Sequence, residues 1–147
     1  TGLDPLDLLV RELAAAAAFS AAVSCKGDTP VDCHHSTEDV ALALGQCAGK
    51  ALGDRTGCVR MASALGTAPG YAFEAVVDLS NRPFAETSAA AGNDYTIHGN
   101  EYAGDVAAEM VEHFFASLAV SARCTLHIIK RDGEGEEAAE EEARVDW

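Results

Sequence analysis

Residues 112–119 have the sequence EHFFASLA, and they align without a gap with residues 7–14, which have the sequence DLLVRELA. Each segment has the apolar spacing of a helix, leads into a stretch typical of a strand and then reaches a glycine turn. Repeated units of this kind bury a common core by packing together. We therefore predict an α/β fold of the α+β sandwich type, an internally duplicated sheet-plus-helices unit with half-repeats at about residues 1–66 and 67–133.

The predicted elements alternate along the chain, as mixed folds require. Apolar spacing predicts helices over residues 6–18, 37–52 and 104–119, and strands over residues 19–25, 72–79 and 124–129. The segment 84–102 is rich in Ala, Gly, Asn and Ser, so we predict a loop there, with short strands as the alternative.

The composition excludes several classes of protein. The chain has 147 residues, of which 48% are hydrophobic, so it is long and apolar enough to bury a core. Its net charge of −14 argues against nucleic acid and against an anionic membrane surface as partners. No apolar run approaches the ~20 residues of a membrane span.

Half of the net charge lies at the end of the sequence. Residues 132–147 contain eight acidic residues and one arginine, a net of −7 out of −14. We therefore separate an acidic C-terminal tail, residues 134–147, from the domain over residues 1–133. The tail has no apolar stripe larger than alanine, which predicts either a solvated helix or disorder, or contact with a basic partner.

The cysteines give an expectation about the compartment. The five cysteines are Cys25, Cys33, Cys47, Cys58 and Cys124. Their odd number and the absence of a C-x-x-C motif argue against a disulfide framework. We predict that all five are small core residues in a reducing intracellular compartment. A start without Met suits a trimmed chain, with an organellar matrix (mitochondrion or plastid) as one location.

The strongest chemical signal is DCHHSTED at residues 32–39. His34 and Glu38 are four residues apart, so on a helix they share one face and can bind one metal ion, while His35 points towards a second site or a neighbouring subunit. Imidazole with carboxylate suits Mn, Fe, Co, Ni or Zn. The alternative is that the acidic residues only stabilise the helix N-terminus and the histidines are surface residues.

This motif is the first of several that resemble one family. The others are ALALGQ at residues 41–46, ALGDR at 51–55, VDLSNRP at 77–83, MVEHFFASL at 110–118 and TLHI at 125–128. In this order the motifs resemble imidazoleglycerol-phosphate dehydratase of histidine biosynthesis. The resemblance implies an internally duplicated fold, trimers that assemble into larger particles, and two manganese ions at subunit interfaces that bind the substrate imidazole.

The resemblance also implies roles for individual residues. The ligands of one manganese ion would be His34, Glu38 and His113. His35 would be a ligand of the other ion, and Glu38 would serve as a catalytic carboxylate. Arg60 and Arg82 would hold the substrate phosphate, a role that suits guanidinium geometry.

Two departures from the family pattern bear on catalysis. Leu8 stands where the family has a histidine, and the internal repeat aligns the same Leu8 with His113. The second family histidine pair falls on Glu137 and Ala138, so only Glu141 keeps a ligand type. The second metal site then lacks ligands, and the chain would bind one Mn(II) or other divalent ion, or none.

These departures leave three hypotheses. The first is a degenerate, non-catalytic member of the family that serves as a structural or accessory subunit of a larger assembly. The second is an active manganese-dependent dehydratase that forms imidazoleacetol phosphate, with missing ligands supplied by a partner chain or by Glu137. The third is a module that binds a single metal ion. The partners would be protein subunits of a multi-subunit assembly or further copies of the chain.

Overall fold

The structure, a computed structural model, describes residues 1–28, 30–68, 71–87, 102–104, 106–107 and 109–131. In this part of the chain the helices are α1, Asp4–Ala16; α2, His34–Leu52; and α3, Glu109–Ala122. The strands are β1, Met61–Ala68; β2, Tyr71–Asp78; β3, Phe84–Thr87; β4, Tyr102–Ala103; β5, Val106–Ala107; and β6, Thr125–Lys130. The predicted mixed fold class is confirmed.

Four strands form one sheet in the order β1-β2-β6-β3. The pairs β1/β2 and β2/β6 are antiparallel, whereas β3 and β6 are parallel and are joined through α3. Parallel neighbours need such a crossover connection, because a tight turn cannot reverse the chain twice. Strands β4 and β5 form a separate two-stranded ribbon.

The main core lies between the three helices. Phe114 of α3 is fully buried at its centre, where Leu6 of α1 and Val40 of α2 also pack. The spacing of Leu6 and Val10 is that of one helical face, so α1 buries this face and exposes the other. Among the described residues, no helix is long and apolar enough to cross a membrane.

A second, smaller core joins α3 to the sheet. Ala119 and Cys124 are buried there against Val77, Ala85 and Leu126 of the strands. The pKa of the Cys124 thiol is raised because burial disfavours the thiolate. Helix α3 therefore lies between α2 on one side and strands β3 and β6 on the other.

Helices α1 and α3 end in the same way. Phe19 N–H donates to the Ala14 carbonyl at 3.1 Å, and Cys124 N–H donates to the Ala119 carbonyl at 3.0 Å. The residues before them, Ala18 and Arg123, have positive φ angles of 53° and 55°. This is the Schellman pattern of helix termination. The equivalent positions are 105 residues apart, the same offset that the sequence repeat has.

The repeat does not extend to the strand that we predicted for residues 19–25. Residues 19–28 contain no helix or strand, so this prediction is wrong. The segment is rich in alanine and serine, which have low strand propensity, and its larger residues Phe19 and Val23 remain 42% and 37% exposed. Strand β6, by contrast, has β2 and β3 as hydrogen-bonding neighbours.

The cysteine prediction is correct only in part. All five cysteines are free, and Cys124 is buried. Cys25 and Cys33 are half-buried and pack against the helical core. Cys47 and Cys58 are exposed, so the prediction that all five belong to the core is wrong. The acidic tail, residues 134–147, lies outside the described residues, and so does the segment 88–101.

Candidate metal centre

Helix α2 begins at His34, three residues before the predicted start, so both histidines of the motif lie in its first turn. The His34 backbone N–H donates to the Asp32 carboxylate at 2.9 Å, which satisfies one of the free N–H groups at the helix start. Glu38 lies one turn further along the helix. The spacing of the motif therefore places His34 and Glu38 on one face, as predicted.

His113 reaches the same place from α3. Its Nε2 atom lies 3.8 Å from Glu38 Oε2, and His34 Nε2 lies 4.0 Å from that same oxygen. The ring centres of His34 and His113 are 4.5 Å apart. The possible ligand atoms of the three residues all lie within 4.8 Å of one another, which defines the His-Glu-His cluster, His34, Glu38 and His113.

The His-Glu-His cluster fits a divalent metal ion. His113 Nε2 is buried and has no hydrogen-bond partner, an arrangement that costs free energy unless another group contacts the nitrogen. Two ligand atoms at about 2.1 Å from one ion lie about 3.0–3.4 Å apart at octahedral or tetrahedral angles. The two nitrogen–oxygen distances of 3.8 and 4.0 Å would therefore need to shorten by about 1 Å or less.

His35 lies outside this cluster. Its Nδ1 atom is 3.0 Å from Asp28 Oδ2, and its side chain is 64% exposed. The hydrogen bond and the negative charge of Asp28 raise the pKa of His35 and lower the pKa of Asp28. The structure thus separates the two adjacent histidines, as the helical spacing predicts.

A cavity of about 720 Å³ opens beside the cluster, and His34 and His113 line it. Three further carboxylates line the cavity, Glu86 from β3 and Glu109 and Glu112 from α3. The sequence motifs pointed to none of the three. Glu86 lies in a segment that we predicted as a loop, with short strands as the alternative, and the helical spacing of α3 does not show which of its acidic residues face the cavity. Glu112 had a usable signal, since it directly precedes His113 in the repeated segment.

Arg60 and Arg82 do not line this cavity. The Arg60 guanidinium binds both carboxylate oxygens of Asp78, at 2.7 and 2.9 Å, and lowers the pKa of that carboxyl group, with a smaller contribution from the charge of Arg82. Asp78 pairs with Thr125 at the start of β6, directly after the end of α3. His113 is nine residues before that helix end, about 14 Å along its axis.

The remaining predicted ligand, Glu141, lies outside the described residues. Leu8, which the repeat aligns with His113, is 51% exposed. It lines an apolar cavity of about 310 Å³ together with Leu9, Met110 and Val111. Among the described residues, the fold therefore presents one cluster of metal-ligand type, on α2 and α3, and an apolar surface at the matching position of α1.

The sequence matches the family described as Imidazoleglycerol-phosphate dehydratase over residues 1–143. The chain belongs to this family. It is 42% identical over 128 residues to the imidazoleglycerol-phosphate dehydratase of Neurospora crassa, an alignment that covers 87% of this chain and 53% of the relative. The enzyme of the same name from Saccharomyces cerevisiae is 39% identical over 128 residues, covering 87% of this chain and 55% of the relative.

Solved structures of the dehydratase family have the same fold. The Staphylococcus aureus imidazoleglycerol-phosphate dehydratase aligns with a TM-score of 0.61 and 28% identity, over 80% of this chain and 62% of that chain. The Pyrococcus furiosus enzyme, solved in complex with (S)-C348, aligns with a TM-score of 0.54 and 27% identity, over 70% of this chain and 53% of that chain. The chain thus spans about half the length of the curated relatives that it matches.

Proposed function

We propose that this chain is a subunit of a divalent-metal-dependent dehydratase that converts imidazoleglycerol phosphate to imidazoleacetol phosphate. The observation that carries this proposal is the His-Glu-His cluster beside a cavity of about 720 Å³, a volume typical of small-molecule sites. Membership of the dehydratase family supplies the reaction class, a hydro-lyase reaction, and the substrate.

His34, Glu38 and His113 would hold one Mn(II) or a similar ion. Two imidazole nitrogens and a carboxylate oxygen form a donor set that such ions accept. The ion, when bound, supplies a Lewis acid for a nitrogen of the substrate imidazole ring. The role of the protein is to hold the two helices that carry these donors beside the cavity, where a bound substrate could reach the ion.

The dehydration itself needs a group that removes a proton from carbon and a group that protonates the departing hydroxyl. Glu38 faces both imidazoles of the cluster, which favours a ligand role for its carboxylate over the catalytic role that the resemblance implies. Glu112 is half-buried, lines the cavity and is adjacent to His113. We therefore propose that Glu112 removes the proton from carbon and that its protonated carboxyl group then gives this proton to the departing hydroxyl, which leaves as water, while Glu38 remains a ligand.

The phosphate group of the substrate needs cations, and the cavity next to the cluster has carboxylates instead. Arg60 binds Asp78, which pairs with Thr125, and Thr125 Oγ1 donates to the Arg82 carbonyl at 2.9 Å. Both arginines therefore lie beside the end of α3, about 14 Å along the helix axis from His113. One chain therefore does not bring the arginines and the cluster to one small substrate. We propose a homo-oligomer in which the arginines of one copy complete the site of another.

A non-catalytic role as an accessory subunit is the second candidate. Leu8 favours it, because the residue that the repeat aligns with His113 offers no ligand atom and is half exposed in an apolar cavity. The family match and the named relatives favour the dehydratase instead, since the curated relatives carry the enzyme's name.

The test is dehydratase turnover by the purified chain during titration with Mn²⁺. We expect turnover that depends on Mn²⁺, is lost in His34→Ala and persists in His127→Ala, a histidine outside the cluster. A chain that binds Mn²⁺ through His34 but shows no turnover above the metal-free control would support the accessory role. A chain that binds no Mn²⁺ would contradict both the dehydratase and a single-metal module.

A further inference from the structure

Gly45 of α2 lies directly against the backbone of α3. A Cβ atom at this position would lie 2.7 Å from the Leu118 carbonyl oxygen, 2.8 Å from Ala122 N and 2.8 Å from Ser121 Cβ. These distances are below normal van der Waals contact, and two of the three atoms are backbone. Glycine inside a helix is unfavourable, so its presence here allows an approach of the two helices that no other residue permits.

A hydrogen bond fixes the two helices at the same place. The Ser121 hydroxyl donates to the Leu42 carbonyl at 2.7 Å across the contact. A bond from a short side chain to the backbone of a neighbouring helix restricts both the rotation and the axial position of the helices. Gly45 and Ser121 together form the α2–α3 seam.

The α2–α3 seam and the cluster lie on the same pair of helices. The two helices run in the same direction, because Glu38 faces His113 and, further along both helices, Gly45 faces Leu118 and Ala122. Gly45 is seven residues after Glu38, which places both on one face of α2 about 10 Å apart. A change of spacing at the seam would therefore change how far His113 lies from Glu38.

We propose that Gly45 and Ser121 are positioning residues for the His-Glu-His cluster. They hold α3 at the distance from α2 at which His113 Nε2 is shielded from solvent and faces Glu38 and His34. The consequence for metal affinity rests on the proposed function, whereas the shielding of His113 does not. Neither residue contacts the ligand atoms themselves.

The experiment compares Gly45→Ala with Gly49→Ala. Gly49 is one turn further along α2, and a Cβ atom there would meet nothing within 4 Å, so it is a matched control for the same added methyl group. Two properties are measured on the full chain, Co²⁺ affinity from the visible absorption of the bound ion and the rate at which diethylpyrocarbonate modifies His113. Far-ultraviolet circular dichroism checks that the variants are folded.

We expect Gly45→Ala to weaken Co²⁺ binding at least about tenfold, to change the Co²⁺ spectrum and to raise the modification rate of His113 several-fold. The rate for His127, which lies on strand β6 and on neither helix of the seam, stays the same. Gly49→Ala gives the same result as the native sequence in every measurement. If diethylpyrocarbonate modifies His113 no faster in Gly45→Ala than in the native sequence, the proposal is overturned, whatever the result for Co²⁺ binding.

The two proposals fail in different ways. If the native sequence binds no Co²⁺ but Gly45→Ala still accelerates the reaction of His113 with diethylpyrocarbonate, the metal-dependent function is contradicted and the role of the seam is supported. If Gly45→Ala does not fold, Ser121→Ala provides the test, because it removes the hydrogen bond without adding an atom. We expect it to raise the His113 rate about threefold, and an unchanged rate overturns the proposal.

Discussion

Helices α1 and α3 end with the same hydrogen-bond pattern and with a residue of positive φ at the equivalent position. They differ in the chemistry of their side chains. His113 of α3 faces two other potential ligands, whereas the equivalent Leu8 of α1 lies half exposed in an apolar cavity. After α3 the chain enters β6, an inner strand of the sheet, whereas residues 19–28 after α1 form no strand. Backbone pattern and chemical role are therefore separable in this fold.

The largest expected difference between the two helices is in packing. Phe114 and Leu9 occupy equivalent positions, but Phe114 is fully buried and Leu9 is half-buried. Replacing Phe114 by Ala should lower the free energy of unfolding by about 3–5 kcal/mol. Leu9→Ala should lower it by about 1 kcal/mol, because less apolar surface is lost.

Urea unfolding of both variants, analysed by linear extrapolation, measures the two losses. Equal losses would mean that α1 is as deeply packed as α3, contrary to the burial of the two side chains.

The second difference concerns metal binding. His113→Ala should weaken Mn²⁺ binding at least about 100-fold, because loss of a direct ligand costs more than the ~10–100-fold loss typical of outer-shell partners. Leu8→Ala should leave Mn²⁺ affinity unchanged, since Leu8 has no ligand atom. Isothermal titration calorimetry measures the Mn²⁺ affinity of both variants. Equal affinities would show that α3 contributes no ligand to the metal site.

The third difference concerns the residue that follows each helix. Cys124 is buried and has a raised pKa, while the equivalent Phe19 is 42% exposed. A thiol reacts as the thiolate, so iodoacetamide at pH 8 should modify Cys124 at least about tenfold more slowly than the new thiol in Phe19→Cys. Mass spectrometry of the labelled peptides gives both rates, and similar rates would show that the second core is open to solvent.

The smallest difference lies at the helix ends. Ala18→Gly should raise the free energy of unfolding by about 0.5–1 kcal/mol, because glycine adopts a positive φ without the strain of a side chain. Arg123→Gly should gain less, since Arg123 Nε donates to Asn81 Oδ1 at 2.6 Å and this bond would be lost. Thermal unfolding of the two variants is the measurement, and a larger gain for Arg123→Gly would contradict this account.

The local signals in the sequence predicted the three helices and part of the site, although α3 begins only at Glu109 and residues 106–107 of its predicted range form β5. His34 and Glu38 share a face of α2 because their spacing matches the helical period, and the repeat identified α3 as the second copy of α1. The motif also predicted that His35 would point away from the cluster. These predictions depend on residues a few positions apart, where the geometry of one helix decides the result.

The parts that the sequence did not predict depend on contacts between distant segments. Strand β1 is exposed at every position from residue 61 to residue 67, so it has no inward-facing apolar pattern to detect. The segment predicted as a strand at residues 19–25 pairs with no described strand, and its residues 22–25 instead line a cavity with Val40 and Leu44 of α2. The approach of His113 to Glu38 depends on how α3 packs against α2, which local spacing does not determine.

The order of the strands has a consequence for synthesis of the protein on the ribosome. Residues 125–130 form the strand between β2 and β3, yet every other strand of that sheet precedes them in the chain. Among the described strands β3 pairs only with β6, so this pairing forms only after the late segment has left the exit tunnel. The nascent chain can form its β1–β2 hairpin early, but its sheet is completed only when translation of the described region is nearly finished.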